Sequence, residues 1–455
     1  MDENILGHVK RVHFIGIGGS GMSALAGILH REGFALTGSD NNESDTLAQI
    51  RKLGIPVQMG HRPENIGDAE LVVYTAAVHK DNPEIQAARE RNLPLCSRAE
   101  LLGLLSRHYA NTFAVSGTHG KTTTTSMLTQ ILVMAGKDPT AVIGGKLPFI
   151  GGNNRIGDSK LMVCEACEFQ DSFLELHPAV SVILNIDNDH LEYFKTMENL
   201  IGHFNRFAAQ TGQALVYNGD DANTLTAVND SPLKKITFGF HSQNDYSAAN
   251  IAVIERHLTF DILRRGQKIA HITLKVPGRH NILNALAACA AASFAGASDE
   301  AIAEGLNAFA GAGRRFDVLG KTETGVTIVD DYAHHPTELS ATLRAAKELG
   351  YASVWAVFQP FTFSRTAMLL DDFAAALQIA DKVVLAPIMG SREVNTYNIH
   401  SEDLAAKIPG SICQPDFDAI ATYVLKNAQP HDLVLTLGCG DIYKAAKQML
   451  PHPHK

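Results

Sequence analysis

Cysteine is scarce: six residues in a chain of 455. That frequency excludes a disulfide scaffold and suits a reducing cytoplasm. There is one tryptophan. No run approaches the roughly eighteen apolar residues of a membrane helix, so no membrane span is expected. The opening MDENILGHVK has no apolar stretch of the kind a secretory leader carries. Positive charge is not in excess; the formal net charge is −9. Broad nucleic-acid affinity is therefore not expected, and any substrate phosphate must meet local positive sites. Repeats and low-complexity segments are absent as well.

What is present is an ordinary globular composition, with 45% apolar and 19% charged residues. The length exceeds one hydrophobic core and implies several domains. Residues 11–107 alternate strand and helix patterns. RVHFIGIGG runs into glycines, MSALAGILHREG has a helical stripe with a glycine stop, and FALTGSD and ELVVYTAAV read as further strands. NTFAVSGTHGKTTTTSMLTQILVMAG opens a second unit as strand, glycine turn and long helix. LMVCEACEF and VSVILNID follow as strands, then a β-rich insertion (KITFGF, HLTFDI, HITLKV) and an alanine-rich helix, NILNALAACAAASFAG. GAGRRF marks a boundary. Beyond it GVTIVDDYAHHP, SVWAVFQP, KVVLAPI and LVLTLGCGD supply a third set of strands. The fold class is α/β with parallel sheets. Three domains are expected: 1–108, 109–313 and 314–455.

The strongest local signal is Ser116-Gly117-Thr118-His119-Gly120-Lys121-Thr122, between a strand and a helix. Glycines let backbone N–H groups approach phosphate oxygens, and the helix N-terminus favours the anion. Lys121 can reach the β and γ phosphates, and the Thr122 hydroxyl can ligate Mg²⁺. Val115 stands where the common phosphate-loop pattern has its first glycine. An earlier loop, Gly16-x-Gly18-x-x-Gly21, also joins a strand to a helix, and Asp40 ends the next strand. That is the dinucleotide fingerprint, yet such a loop holds any pyrophosphate, including that of a UDP-sugar. A tight turn without ligand is the plain alternative.

Two further strand ends carry acids and a histidine: Glu165 to Glu168, and Asn185 to His190. A carboxylate with a histidine can hold a second Mg²⁺ between ATP and a substrate carboxylate. Taken singly, each is as readily a capped strand end. The lone pair Cys164-x-x-Cys167 reads as two small apolar residues on opposite faces of a strand rather than a zinc or redox site. The terminal PHPHK reads as a frayed tail rather than a metal tract.

With these features in hand, the chain resembles the Mur ligase family. Ten blocks in order carry the likeness: FIGIGGSGMSALA, TAAVHKDNPE, SGTHGKTTTT, EACEFQDSF, NIDNDH, PGRHNILNALAA, GAGRRFD, DDYAHHPTE, FQPFTFSRT and SREVNTYNI. DDYAHHPTE with GIGGSGMS points to the member that joins L-alanine to UDP-N-acetylmuramate. The resemblance implies a Rossmann-like UDP-binding domain, a central P-loop ATPase domain and a C-terminal Rossmann-like domain for the amino acid. It implies that ATP phosphorylates the muramate carboxylate and that the alanine amine displaces phosphate.

By the same resemblance Gly16, Gly18, Gly19, Ser20, Gly21, Met22, Asp40, Thr75 and Ala77 would face the UDP-sugar. Gly117, Thr118, His119, Gly120, Lys121, Thr122 and Thr123 would hold ATP phosphates, and His280, Asn281 and Asn284 would lie near the adenine. Arg315 and Asp331 would reach ATP from the third domain. Thr122, Glu168 and His190 would ligate Mg²⁺, while Tyr332, His334 and Arg365 would bound the amino-acid site. Lys121, Glu168, His190 and His334 would carry the catalysis. A cytoplasmic monomer or homodimer acting on small molecules is expected.

Two positions depart from the family. Asn205, with Arg206 beside it, stands where sister ligases carry a carbamylated lysine, and Phe361 replaces the usual histidine of F-Q-P-H. Three competing readings remain. A ligase that recycles a whole peptide would share every donor motif. A NAD-dependent oxidoreductase would leave the GKT loop without a role. A non-catalytic nucleotide-binding paralogue draws its support from Phe361.

Overall fold

The structure, a computed structural model, describes residues 3–79, 81–189, 191–391 and 393–451. It divides into two compact units. The first comprises Met1–Ser247, Leu263–Ala270 and Asn284–Gly305; the second comprises Ala248–Ile262, His271–Leu283 and Leu306–Lys455.

The first unit opens with a five-stranded sheet. Its order is Val57–Met59, Ala35–Asp40, Arg11–Ile15, Leu71–Tyr74 and Leu95–Ser97, all parallel. The order reverses direction at Arg11–Ile15, the kind of switch point beyond whose strand carboxyl ends ligands bind in α/β sheets. Phe14 and Ile15 are fully buried, as strands covered on both faces require. A second sheet in this unit runs Gly152–Arg155, Thr140–Leu147, Leu161–Glu165, Asn111–Ser116, Val180–Ile183, Ala214–Asn218 and Lys234–Phe238. All neighbours are parallel except the first pair, a hairpin that the sequence pattern did not announce. The strand beginning at Tyr246 joins beyond Phe238. One apolar cluster serves both sheets: Leu25, Leu101 and Leu105 share it with Phe173, Phe204 and Phe207.

The second unit holds a six-stranded sheet: Asp317–Lys321, Thr327–Asp331, Leu433–Leu437, Val354–Phe358, Lys382–Leu385 and Ile412–Cys413. Its first pair is antiparallel and the rest are parallel. Two apolar clusters cover its faces, around Phe358 and Phe373 on one side and Trp355 and Val434 on the other. Among the described residues no helix is long and apolar enough to cross a membrane.

One local expectation is corrected. The strand Leu161–Glu165 stops two residues before Cys167, so the two cysteines do not occupy opposite faces of one strand. Burial pushes the Cys164 thiol up to about 12 and raises that of Cys167. Neither thiol favours the thiolate that zinc or redox chemistry uses. The histidines of the terminal PHPHK lie outside the described residues.

Candidate functional site

The phosphate loop is shaped by two glycines. Gly117 has φ +136° and Gly120 has φ +87°, backbone regions that side chains resist. A Cβ at Gly120 would lie 2.4 Å from Asn284 Oδ1, so the loop also lacks room for a side chain there. The segment after Val180–Ile183 braces the turn. Thr118 N–H donates to Asn185 O at 3.0 Å, and His119 N–H donates to Asn185 Oδ1 at 2.8 Å. Asp187 N–H donates to Thr118 Oγ1 at 2.9 Å, and His119 Nε2 meets Asp187 Oδ2 at 3.1 Å. The helix Lys121–Met134 starts directly after the loop, and a helix N-terminus presents backbone N–H groups that lack intrahelical partners. Thr122 and Thr123 sit in that first turn with buried side chains.

Lys121 folds back under the loop. Its Nζ donates to the carbonyls of Gly117 and Thr118 and to both Glu168 oxygens, at 3.1 and 2.9 Å. Burial disfavours the ammonium, but the acidic groups around it, Glu168 foremost, together hold the pKa above the ordinary lysine value. Glu168 is itself 2% exposed. The structure thus brings the expected phosphate lysine and the expected metal carboxylate into one ion pair. His190 lies outside the described residues.

Past Glu168 the chain turns through Gln170 and Asp171, both at positive φ (53° and 60°). Asp171 accepts from Tyr193 Oη at 2.8 Å and pairs with His203 Nδ1. Arg206 Nη2 lies 2.8 Å from the same His203 nitrogen. Arg206 reaches to within 3.9 Å of Asp171. Asn205 turns the other way, donating to Ala227 O at 2.9 Å. Sequence reasoning named Asn205 and Arg206 but missed Asp171, Tyr193 and His203. The positive-φ turn that joins them left no trace in the residue pattern.

The first glycine loop groups its expected residues closely. Gly16 N–H and Ile17 N–H both donate to Ser39 O, and Gly18 N–H donates to Asp40 Oδ2 at 2.9 Å. Gly16 (φ +78°) gives way to Thr75, whose Cγ2 would lie 2.6 Å from a Cβ there. Ala77 N–H donates to Thr75 Oγ1 at 3.3 Å. Gly19 N–H closes the turn on Gly16 O, and Ser20 and Gly21 begin the helix Ser20–Arg31. Met22 is 1% exposed and packs into the apolar cluster behind the loop.

Behind this loop lies a buried polar cluster that sequence reasoning also missed. Glu84, fully buried, accepts from Ser39 Oγ at 2.6 Å and Asn65 Nδ2 at 2.5 Å, with His13 Nε2 3.5 Å away. Burial would raise the Glu84 pKa, but the groups around it, His13, Ser39 and Asn65, hold it below the usual value.

Asn284, in the first unit, meets Thr124 Oγ1 at 3.2 Å. The other expected residues belong to the second unit. His280 and Asn281 open the helix His280–Phe294, and Asn281 Nδ2 donates to Pro277 O at 2.6 Å. Asp331, at the end of its strand, accepts from Phe316 N–H at 2.7 Å and Ala333 N–H at 2.8 Å. Its burial pushes the pKa up to about 6, against the pull of Arg315 and those two amides. The Arg315 guanidinium lies over the Tyr332 ring at 4.6 Å. His334 Nδ1 lies 3.2 Å from Glu338. Arg365 lies in the short helix Phe363–Met368, and Phe361 pairs with Met389 beside it.

Three family profiles match the chain: "Mur ligase family, catalytic domain" over residues 11–110, "Mur ligase middle domain" over 115–292 and "Mur ligase, glutamate ligase domain" over 314–440. A UDP-N-acetylmuramate–L-alanine ligase of Acetivibrio thermocellus is 47% identical over 449 residues, covering 97% of this chain and 96% of the relative. A protein of the same name from Caldanaerobacter subterraneus is 44% identical, covering 98% of both chains. The solved structure of UDP-N-acetylmuramate-alanine ligase from Thermotoga maritima matches with a TM-score of 0.82 at 31% identity, covering 96% of this chain and 98% of that one.

Proposed function

The chain belongs to the Mur ligase family, and on that premise we propose that it joins L-alanine to the lactyl carboxylate of UDP-N-acetylmuramate, using ATP, in peptidoglycan precursor synthesis. The observation that carries the chemistry is the pairing of Lys121 with Glu168 under a phosphate loop. A carboxylate is a poor electrophile. Transfer of the γ-phosphoryl group to one carboxylate oxygen gives an acyl phosphate and ADP. The amine of L-alanine then attacks the acyl carbon, loses a proton, and expels phosphate carrying that oxygen.

In this reading the helix N-terminus at Lys121 holds the phosphates, and the ammonium offsets charge on the group being transferred. The Thr122 hydroxyl and the Glu168 carboxylate are hard oxygen donors, a set that suits Mg²⁺. When bound, that ion would neutralise phosphoryl charge. The first glycine loop takes UDP-N-acetylmuramate within residues 1–108, ATP falls to 109–313, and the acceptor falls to 314–455. There Arg365 suits the alanine carboxylate and His334 suits the amine. We place this reaction in the cytoplasm, where such precursors are soluble.

The deciding experiment measures phosphate release from ATP with UDP-N-acetylmuramate and a panel of amino acids plus the L-alanyl-γ-D-glutamyl tripeptide. Release dependent on L-alanine is expected, with label from a carboxyl-¹⁸O substrate passing into phosphate. Use of the tripeptide in place of free alanine would refute the acceptor, and unlabelled phosphate would refute the acyl phosphate.

A further inference from the structure

The third glycine of the first loop makes room for a side chain that no motif pointed to. A Cβ on Gly21 would lie 2.9 Å from Cδ of Arg98 and 3.3 Å from its Nη1. Arg98 is half-buried and starts the helix Arg98–Ser106. Its side chain has no hydrogen bond or ion pair with any described residue. The one acid of its own helix, Glu100, is committed to capping: it accepts from Ser97 N–H at 2.6 Å. The first turn of the helix Ser20–Arg31, against which the guanidinium packs, has no acid.

This placement is electrostatically unfavourable for a cation. Helix N-termini carry partial positive charge, and Arg98 sits at one and lies against another. A half-buried guanidinium in that position calls for an anion to balance it. Its field extends to Cys164 and Cys167, where burial sets the raised thiol pKa and Arg98 opposes it. The charge therefore lies beside the glycine loop and is felt at the strand end that leads to Glu168.

We infer that Arg98 is a substrate-binding residue that grips an oxyanion of the UDP-sugar at the first glycine loop. The inference rests on the proposed assignment of UDP-N-acetylmuramate to that loop. Two groups of the substrate share the chemistry, the diphosphate and the lactyl carboxylate. A planar guanidinium matches either one bidentately.

The test is calorimetric titration of the full chain and its Arg98→Gln and Arg98→Lys variants with UDP, UDP-N-acetylglucosamine and UDP-N-acetylmuramate. Arg98→Gln should bind UDP-N-acetylmuramate about ten- to a hundredfold more weakly. Arg98→Lys, which keeps charge but loses the fork, should fall between. Equal loss across all three ligands identifies the diphosphate; loss confined to UDP-N-acetylmuramate identifies the carboxylate. ATP affinity should stay within about twofold, and an equal loss there would mean general damage and overturn the assignment. Wild-type affinity for UDP-N-acetylmuramate retained in Arg98→Gln would overturn the inference alone. A wild-type chain that binds none of the three would overturn the loop assignment and the inference with it.

Discussion

The ion pair between Lys121 and Glu168 ties ATP chemistry to the stability of the nucleotide-free chain. Both side chains are mostly buried, at 16% and 3% exposure. Removing one partner leaves the other charge buried without compensation, which costs about 3–5 kcal/mol. Glu168→Gln and Lys121→Met should each destabilise by an amount in that range. The double variant should be well short of the sum, because it buries no lone charge. Urea unfolding of the four proteins checks this, and additive losses would mean the pair is not formed. Asp331 gives a second prediction at the same scale. Its pKa lies at about 6 when folded, against 3.8 for the free group. A raised carboxylate pKa contributes stability below the unfolded value, and that contribution is lost as pH rises through the folded one. Relative to Asp331→Asn, the wild type should therefore lose about 3 kcal/mol between pH 4 and about pH 6, then level off. A difference that stays flat across that range would show that burial does not govern this carboxylate.

Elements, rather than isolated residues, are what the sequence made readable. Both glycine loops were legible because only glycine tolerates the backbone they need, and because strand and helix periods flank them. Gly120 and Gly54 separate the two reasons for a glycine. Their φ values are close, +87° and +82°, yet a Cβ at Gly54 meets nothing within 4 Å while one at Gly120 meets Asn284. Each Gly→Ala change should cost about 1 kcal/mol of stability for the backbone alone. Only Gly120→Ala should also weaken ATP binding, by tenfold or more (about 1.4 kcal/mol), because the clash reshapes the loop. Equal ATP affinities in the two variants would refute that account. Other elements were not legible. The hairpin Thr140–Leu147 with Gly152–Arg155 has no alternating pattern over GGNNR, and the antiparallel edge strand Asp317–Lys321 is short, with only Val318 and Leu319 apolar and adjacent rather than alternating. The cluster of His13, Ser39, Asn65 and Glu84 joins four chain segments, and no local pattern reports a contact made across such separations. The same holds for Arg98, whose partner in packing is a glycine 77 positions earlier.

At the scale of the whole molecule, the apolar clusters state which pieces can stand alone. Every strand of the third sheet lies between Asp317 and Leu437. Among the described residues, the two clusters on its faces draw on Phe316 to Leu450 and on nothing earlier. A fragment of residues 314–455 therefore contains its own sheet and both of its cores, which is what independent folding requires. The first sheet differs. Its helix Arg98–Ser106 contributes Leu101, Leu102, Leu104 and Leu105 to a cluster completed by Phe173, Phe204 and Phe207 beyond residue 109. Gly103 of that helix approaches the backbone so closely that a Cβ would lie 2.3 Å from Glu175 O. Arg31 pairs with Asp158, and Asn153 Nδ2 donates to Ser20 O at 2.7 Å. Cutting at residue 108 would strip those partners away and expose the leucines, at roughly 25 cal/mol for each Å² of apolar surface returned to water. Residues 314–455 expressed alone should thus unfold cooperatively in urea. Residues 1–108 alone should bind a hydrophobic dye and lack a sharp transition, and extension to residue 313 should restore one. A sharply folding 1–108 fragment would mean that the shared cluster contributes little to the first sheet, and that each of the three sheets is self-sufficient.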